Sequence, residues 1–194
     1  MRTTTLALAS AALLAACGGG DTAADSAAAL DTTTAAAPAG DTAAGGAGGV
    51  TATMRDSAGR ELGTVTLTET AQGIAIAGTL RGLPPGDHGF HLHTVGQCAP
   101  TFEAAGGHWN PTGTQHGSAN PQGPHLGDMP NVTVAADSSV TIQATTPGGT
   151  LRGTNALLDA DGAAVMVHAT ADDNRTDPSG ASGARVACGA VSGS

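Results

Sequence analysis

The chain has 194 residues and a formal net charge of -9, and its 7 basic residues are all arginine. That balance argues against a nucleic-acid partner and against holding an anionic membrane surface by charge. Hydrophobic residues reach 40% but aromatics only 2%, beside 30 glycines and 10 prolines. This composition excludes an ordinary helical bundle and points to a β-rich chain with many turns. A core so poor in large side chains buries little area per residue, so covalent or metal reinforcement is expected.

Residues 1–17 hold Arg2, an apolar segment beginning at Leu6, and the run Leu14-Ala15-Ala16-Cys17. The segment is too short to span a bilayer and reads as an export signal. A small-residue run ending in cysteine resembles a bacterial lipobox. That resemblance implies a lipid on Cys17 and anchoring in the cell envelope, on the periplasmic side or at the cell surface. Residues 18–49 are dominated by Ala, Gly, Thr and Asp, without an aromatic or basic residue. They cannot bury enough apolar surface to offset chain entropy, which predicts a disordered tether. Its end-to-end distance would be on the order of 30 Å.

The folded domain is expected over 50–194. Thr51 to Met54, Gly63 to Thr68 and Ile74 to Leu80 alternate with period two and are separated by turn residues, which predicts three antiparallel strands. Gly82-Leu83-Pro84-Pro85-Gly86 reads as a turn, because adjacent prolines do not sit in a central strand. It leads into a strand carrying His91 and His93. Residues i and i+2 of a strand share a face, so the two imidazoles would stand side by side with Leu92 turned inward.

Residues 94–130 form a loop too long to be an inert connection. It holds His108, His116, His125 and Asp128. Five histidines and a carboxylate within forty residues point to a metal site, since neutral imidazole suits zinc and copper. Strands resume at Asn131 to Val134 and Val140 to Ile142, and Ala163 to His168 delivers another histidine. A second loop, 169–183, precedes a last strand from Ala184 to Val191. Cys98 and Cys188 are left as an even pair in an exported, oxidising setting, where a disulfide is the default. Seven or eight short antiparallel strands, two long loops and no convincing amphipathic helix predict a sandwich or flattened barrel.

Six motifs occur in order: Gly89-Phe90-His91-Leu92-His93, Gly107-His108-Trp109-Asn110-Pro111, Gln115-His116-Gly117, His125-Leu126-Gly127-Asp128, Val167-His168 and Gly183-Ala184-Arg185-Val186-Ala187-Cys188-Gly189. Together, over about residues 50–194, they resemble the copper–zinc superoxide dismutases of the bacterial exported branch. The resemblance implies an all-β fold, an eight-stranded antiparallel Greek-key β-barrel or sandwich with two long functional loops. It assigns copper to His91, His93, His108 and His168, and zinc to His108, His116, His125 and Asp128, with His108 as the bridging imidazolate. It also implies that Asp172 orients His91 and His116, that Arg185 attracts superoxide beside copper, and that Cys98 and Cys188 form the family disulfide. His108 and Arg185 would be the catalytic side chains.

The implied activity is disproportionation of superoxide to oxygen and hydrogen peroxide, protecting the cell envelope. The alternative is a lipoprotein that binds copper and zinc without turnover, as a metal buffer. A monomer and a homodimer both remain open. His88 fits no ligand position and reads as a strand-edge residue, and Trp109 reads as packing. Asn131-Val132-Thr133 and Asn174-Arg175-Thr176 match the glycosylation pattern but read as coincidence beside a bacterial-type signal. The second loop carries only Asp172, Asp173, Arg175 and Asp177 as charges, so strong steering beyond Arg185 and the metals is not expected.

Overall fold

Threonines alternating with aliphatic residues build the first strands of the computed structural model: β1 (Val50–Asp56), β2 (Glu61–Thr70) and β3 (Gly73–Arg81). The structure describes residues 49–192; the export signal, Cys17 and the tether expected over 18–49, apart from Gly49, lie outside the described residues. Pairing places Thr51 opposite Thr66 and Thr53 opposite Thr64 on the solvent face. Met54, Val65, Leu67, Ile74, Ile76 and Leu80 fill the inner face, each at most 1% exposed. The β1–β2 turn is closed by the Asp56 carboxylate, which accepts the N–H groups of Ala58 and Arg60.

The remaining strands are β4 (Gly86–His88), β5 (Phe90–His93), β6 (Val132–Val134), β7 (Ser139–Pro147), β8 (Ala163–His168) and β9 (Arg185–Val191). The only helical element among the described residues is one 3-10 turn, Phe102–Ala105, within the first long loop. Hydrogen bonding gives a curled seven-stranded sheet in the order β5-β8-β9-β1-β2-β3-β7, with β4 and β6 paired separately and every strand pair antiparallel. The β3-to-β7 and β9-to-β1 neighbours are the crossovers of a Greek key.

The expected turn ending at Gly86 is shorter than the sequence suggests, because Gly86 already begins β4. The strand expected to carry His91 and His93 is broken at Gly89, whose N–H and C=O turn to Thr170 and His168 instead. Counted as one interrupted strand, β4 and β5 bring the total to eight. A side chain at Gly89 would meet Ser182 and the His91 ring, so glycine is what lets the second loop lie against this break.

All six residues of β8 and all four of β5 are buried. Phe90, Leu92, Val165 and Val167 enter the main core. His91, His93, Ala164 and Met166 occupy the other face, which is covered from outside. Met166 and Ala164 pack there with Ala105, Cys188, Cys98 and Phe102. The Cys98–Cys188 disulfide, with a Cα–Cα separation of 5.9 Å, pins the first long loop to β9. The face of the barrel bearing the histidines thus becomes an interior.

Candidate metal centre

The loop's ligands reach β5 through backbone pairing. Trp109 N–H donates to Leu92 O and Leu92 N–H to Gly127 O, and bridge pairing sets His93 beside His108 and His91 beside Asp128. His168 ends β8 at a register shift that sets it opposite Arg185. Three strand-borne rings and the loop ligands therefore converge from segments far apart in sequence.

Three clusters result: His91, His93, His108 and His168; His108, His116, His125 and Asp128; and His91, His116 and Asp172. His108 is shared by the first two, and Asp172 touches one ring from each. In the first cluster each ring has one nitrogen occupied from outside. His91 Nε2 lies 2.6 Å from Asp172 Oδ2, His93 Nδ1 3.0 Å from Gly106 O, His108 Nδ1 2.8 Å from Asp128 Oδ1, and His168 Nδ1 3.3 Å from Gly183 O. The opposite nitrogens, His91 Nδ1, His93 Nε2, His108 Nε2 and His168 Nε2, are buried without a hydrogen-bond partner. Protons directed outward to oxygens leave lone pairs directed at one another. Buried polar atoms are rarely left unpaired, because each costs on the order of 1–3 kcal/mol. Four at one point fit a coordination shell.

In the second cluster one oxygen serves three rings. Asp128 Oδ1 lies 2.8 Å from His108 Nδ1, 3.0 Å from His116 Nδ1 and 3.1 Å from His125 Nδ1. His116 Nδ1 is nevertheless out of hydrogen-bond alignment. Ligand atoms about 2.0 Å from a tetrahedral ion lie roughly 3.3 Å apart, so this spacing is close to that around a central ion. Asp128 Oδ2 is fixed by the N–H groups of Gly117 and His125, both at 2.9 Å.

Titration follows the same arrangement. Burial, reinforced by the neighbouring His108, takes His93 down to about 2. Burial and His91 take His168 to about 3, and burial takes His108 to about 4 against the pull of Asp128. Burial also opposes a charge on His116, but hydrogen bonds to Asp128 and Asp172 outweigh it and raise the ring to about 9. For Asp128 and Asp172, burial is outweighed by their histidine hydrogen bonds, which hold both carboxyls well below the usual range. The neutral His93, His108 and His168 rings and the ionised carboxylates are in the forms that ligate metals, whereas His116 releases a proton to do so.

Arg185 donates through Nη1 to Phe102 O and through Nη2 to Gly106 O, both at 2.7 Å. The Gly106 carbonyl thus takes the guanidinium and His93 together. A cavity of about 420 Å³ opens here, lined by His108, His125, His168, Glu103 and Arg185 among others. It gives an outside molecule a path to the junction of the two clusters.

Several features had no clear signal in the sequence. Glu103 stands at the rim, 3.5 Å from Arg185 and largely exposed. Asp177, read as a loop charge, accepts the His116 N–H at 2.7 Å. His88, expected at a strand edge, is instead buried on β4, with its ring nitrogens 2.8 Å from both His168 O and Pro84 O. It braces the end of β8, because the broken strand turns its ring inward. Trp109 is packed in the core and donates to Ala156 O. At Gly180, φ is +65° and a Cβ would collide with the Asp172 carboxylate, so glycine is required where the second loop crosses the clusters.

The family model for copper/zinc superoxide dismutase (SODC) matches residues 61–191. A superoxide dismutase [Cu-Zn] of Caulobacter vibrioides is 42% identical over 146 residues, covering 73% of this chain and 84% of that protein. Among solved structures, a double mutant of a SOD-like protein from Bacillus subtilis superposes with a TM-score of 0.71 at 40% identity, covering 74% of this chain and 97% of the other. The Cu/Zn superoxide dismutase from Brucella abortus gives 0.61 at 32% identity, covering 74% and 99%.

Proposed function

The chain belongs to the copper/zinc superoxide dismutase family, and we propose that it disproportionates superoxide to oxygen and hydrogen peroxide at the two joined clusters. The observation that carries this reading is the convergence of four unpartnered imidazole nitrogens beside a set of three imidazoles and one carboxylate. His91 Nδ1, His93 Nε2, His108 Nε2 and His168 Nε2 would hold copper. His108, His116 and His125 through Nδ1, with Asp128, would hold zinc. Bound there, copper would supply a one-electron redox couple for superoxide, and redox-inert zinc would hold His108 in place.

The protein's own groups do the rest. Arg185 presents a cation whose position is set by two carbonyls, so an anion entering the cavity is drawn toward the His108–His168 wall. Formation of peroxide requires two protons, and His108, which lines the cavity, is the ring placed to hold one. Asp172 keeps His91 and His116 in the tautomers that aim their other nitrogens inward.

The same reading places the activity outside the cytoplasm. Residues 1–17 act as an export signal with lipid attachment at Cys17, and 18–49 act as a tether from the envelope to the domain. No helix among the described residues is long and apolar enough to cross a membrane. Intact mass of the envelope-extracted protein tests the lipid: a diacylated N-terminal Cys17 supports it, and an unmodified N-terminus elsewhere refutes it.

The activity is tested by comparing superoxide dismutation by the copper- and zinc-loaded chain with that of His93→Ala. Loss of at least about a hundredfold is expected on removing a ligand of the redox ion. A variant that keeps the wild-type rate would refute the assignment.

A further inference from the structure

We infer that Asn131 is a positioning residue, whose side-chain amide sets Asp172 in the geometry that couples the two clusters. The inference rests on the two-metal reading above. Asn131 lies three residues beyond Asp128, where the first long loop enters β6, and Asp172 lies in the second loop. Asn131 Oδ1 accepts the Asp172 N–H at 2.8 Å, and Asn131 Nδ2 donates to Asp172 O at 2.9 Å. This closed pair of hydrogen bonds copies a strand pairing and fixes the Asp172 backbone from one side.

Asn174 fixes it from the other. Its N–H donates to Asp172 Oδ1 at 2.6 Å and its Nδ2 to Asp172 O at 3.1 Å. What remains of the carboxylate is directed to the rings: Oδ2 to His91 Nε2 at 2.6 Å and Oδ1 to His116 Nε2 at 3.0 Å. Asp172 is 5% exposed, so these protein contacts decide its orientation. The two asparagines of the glycosylation-like sequences are therefore engaged through their amides inside the folded domain. A glycan on Asn131 would require that pair of bonds to break.

A carboxylate aimed at two ligand rings fixes their tautomers, and outer partners of this kind typically alter metal affinity by about 10- to 100-fold. Asn131 acts on both ions through one residue. Loss of its amide would release the Asp172 backbone on one side and leave it held by Asn174 alone, loosening His91 and His116 together. An asparagine that merely supported the loop would change stability without this paired effect.

The test uses Asn131→Ala, Asp172→Ala and the double variant in the full chain, with zinc and copper dissociation constants from chelator competition. Asn131→Ala is expected to weaken both metals by about 10-fold or more, and to add nothing in the Asp172→Ala background. Unchanged affinities, or effects of the two substitutions that multiply, would overturn the inference. If Asn131→Ala folds poorly, Asn131→Ser, which keeps one polar atom, is measured in the same way and is expected to fall between.

A metal-independent reading separates this inference from the function it rests on. In the metal-free protein, the Nε2–H protons of His91 and His116 should appear as deshielded NMR resonances. In Asn131→Ala they should shift or broaden while the Trp109 indole N–H does not. Resonances unmoved by the substitution would overturn the clamp, whereas a wild-type chain that binds neither metal would overturn the proposed function instead.

Discussion

Removing both metals should convert the site into an acid-triggered weakness. His93, His168 and His108 are held at about 2, 3 and 4 in the fold, against 6.5 in an unfolded chain. Below pH 6.5 the unfolded chain takes up protons that the buried rings refuse, so stability falls with pH until the folded values are reached. Each group contributes a slope approaching 1.36 kcal/mol per pH unit, so three give about 4 kcal/mol per pH unit between pH 6 and 4. A domain with a typical stability of about 5–15 kcal/mol would lose most of it across that window. His116 works in the opposite sense: with its folded value raised to about 9, its stabilisation is complete below pH 6.5 and is lost as pH rises through 9. Maximum stability of the metal-free protein should thus lie near neutrality. Urea unfolding at pH 7, 6, 5 and 4 can be followed by fluorescence of Trp109, the single tryptophan, which is 4% exposed. Bound metals occupy the same lone pairs, so the loaded protein should resist to lower pH. A metal-free stability that changes by less than one proton's slope between pH 6 and 4 would refute the reasoning.

Two further predictions follow from the loops. Replacing Cys98 and Cys188 with serine opens a link spanning 90 residues, which in the chain-entropy account costs roughly 4 to 5 kcal/mol. Urea midpoints measure that loss, and dismutation should fall as well, because the freed segment carries the Phe102 and Gly106 carbonyls that hold Arg185. Glu103→Gln removes the one rim carboxylate beside Arg185. The dismutation rate should rise up to about twofold at low ionic strength, with the gain fading as salt is added; an equal or lower rate at low salt would exclude a steering role.

The barrel and much of the site were legible because their signals are local. Period-two alternation marks β1, β2 and β3, a short apolar run ending in histidine marks β8, and the His91–Leu92–His93 spacing places two rings on one face regardless of the rest of the fold. The motifs likewise singled out every member of the two main clusters. What stayed hidden depends on contacts between distant loops. Asn131 looked like part of a glycosylation pattern, since nothing local shows that its amide meets Asp172, 41 residues away. His88 looked peripheral because the break at Gly89, which buries it, arises from the second loop pairing into the strand. Glu103 gained meaning only when the disulfide brought its 3-10 turn beside Arg185.

The central claim is that His91, His93, His108 and His168 hold a redox-active copper that turns over superoxide. The most direct measurement prepares one batch of protein in four states, metal-free, zinc only, copper only and both, with metal content and dismutation rate determined on each. Activity confined to the copper-containing states, highest with both metals and proportional to bound copper, is the predicted result. Stoichiometric copper without dismutation would contradict the account and leave a metal-binding protein in its place.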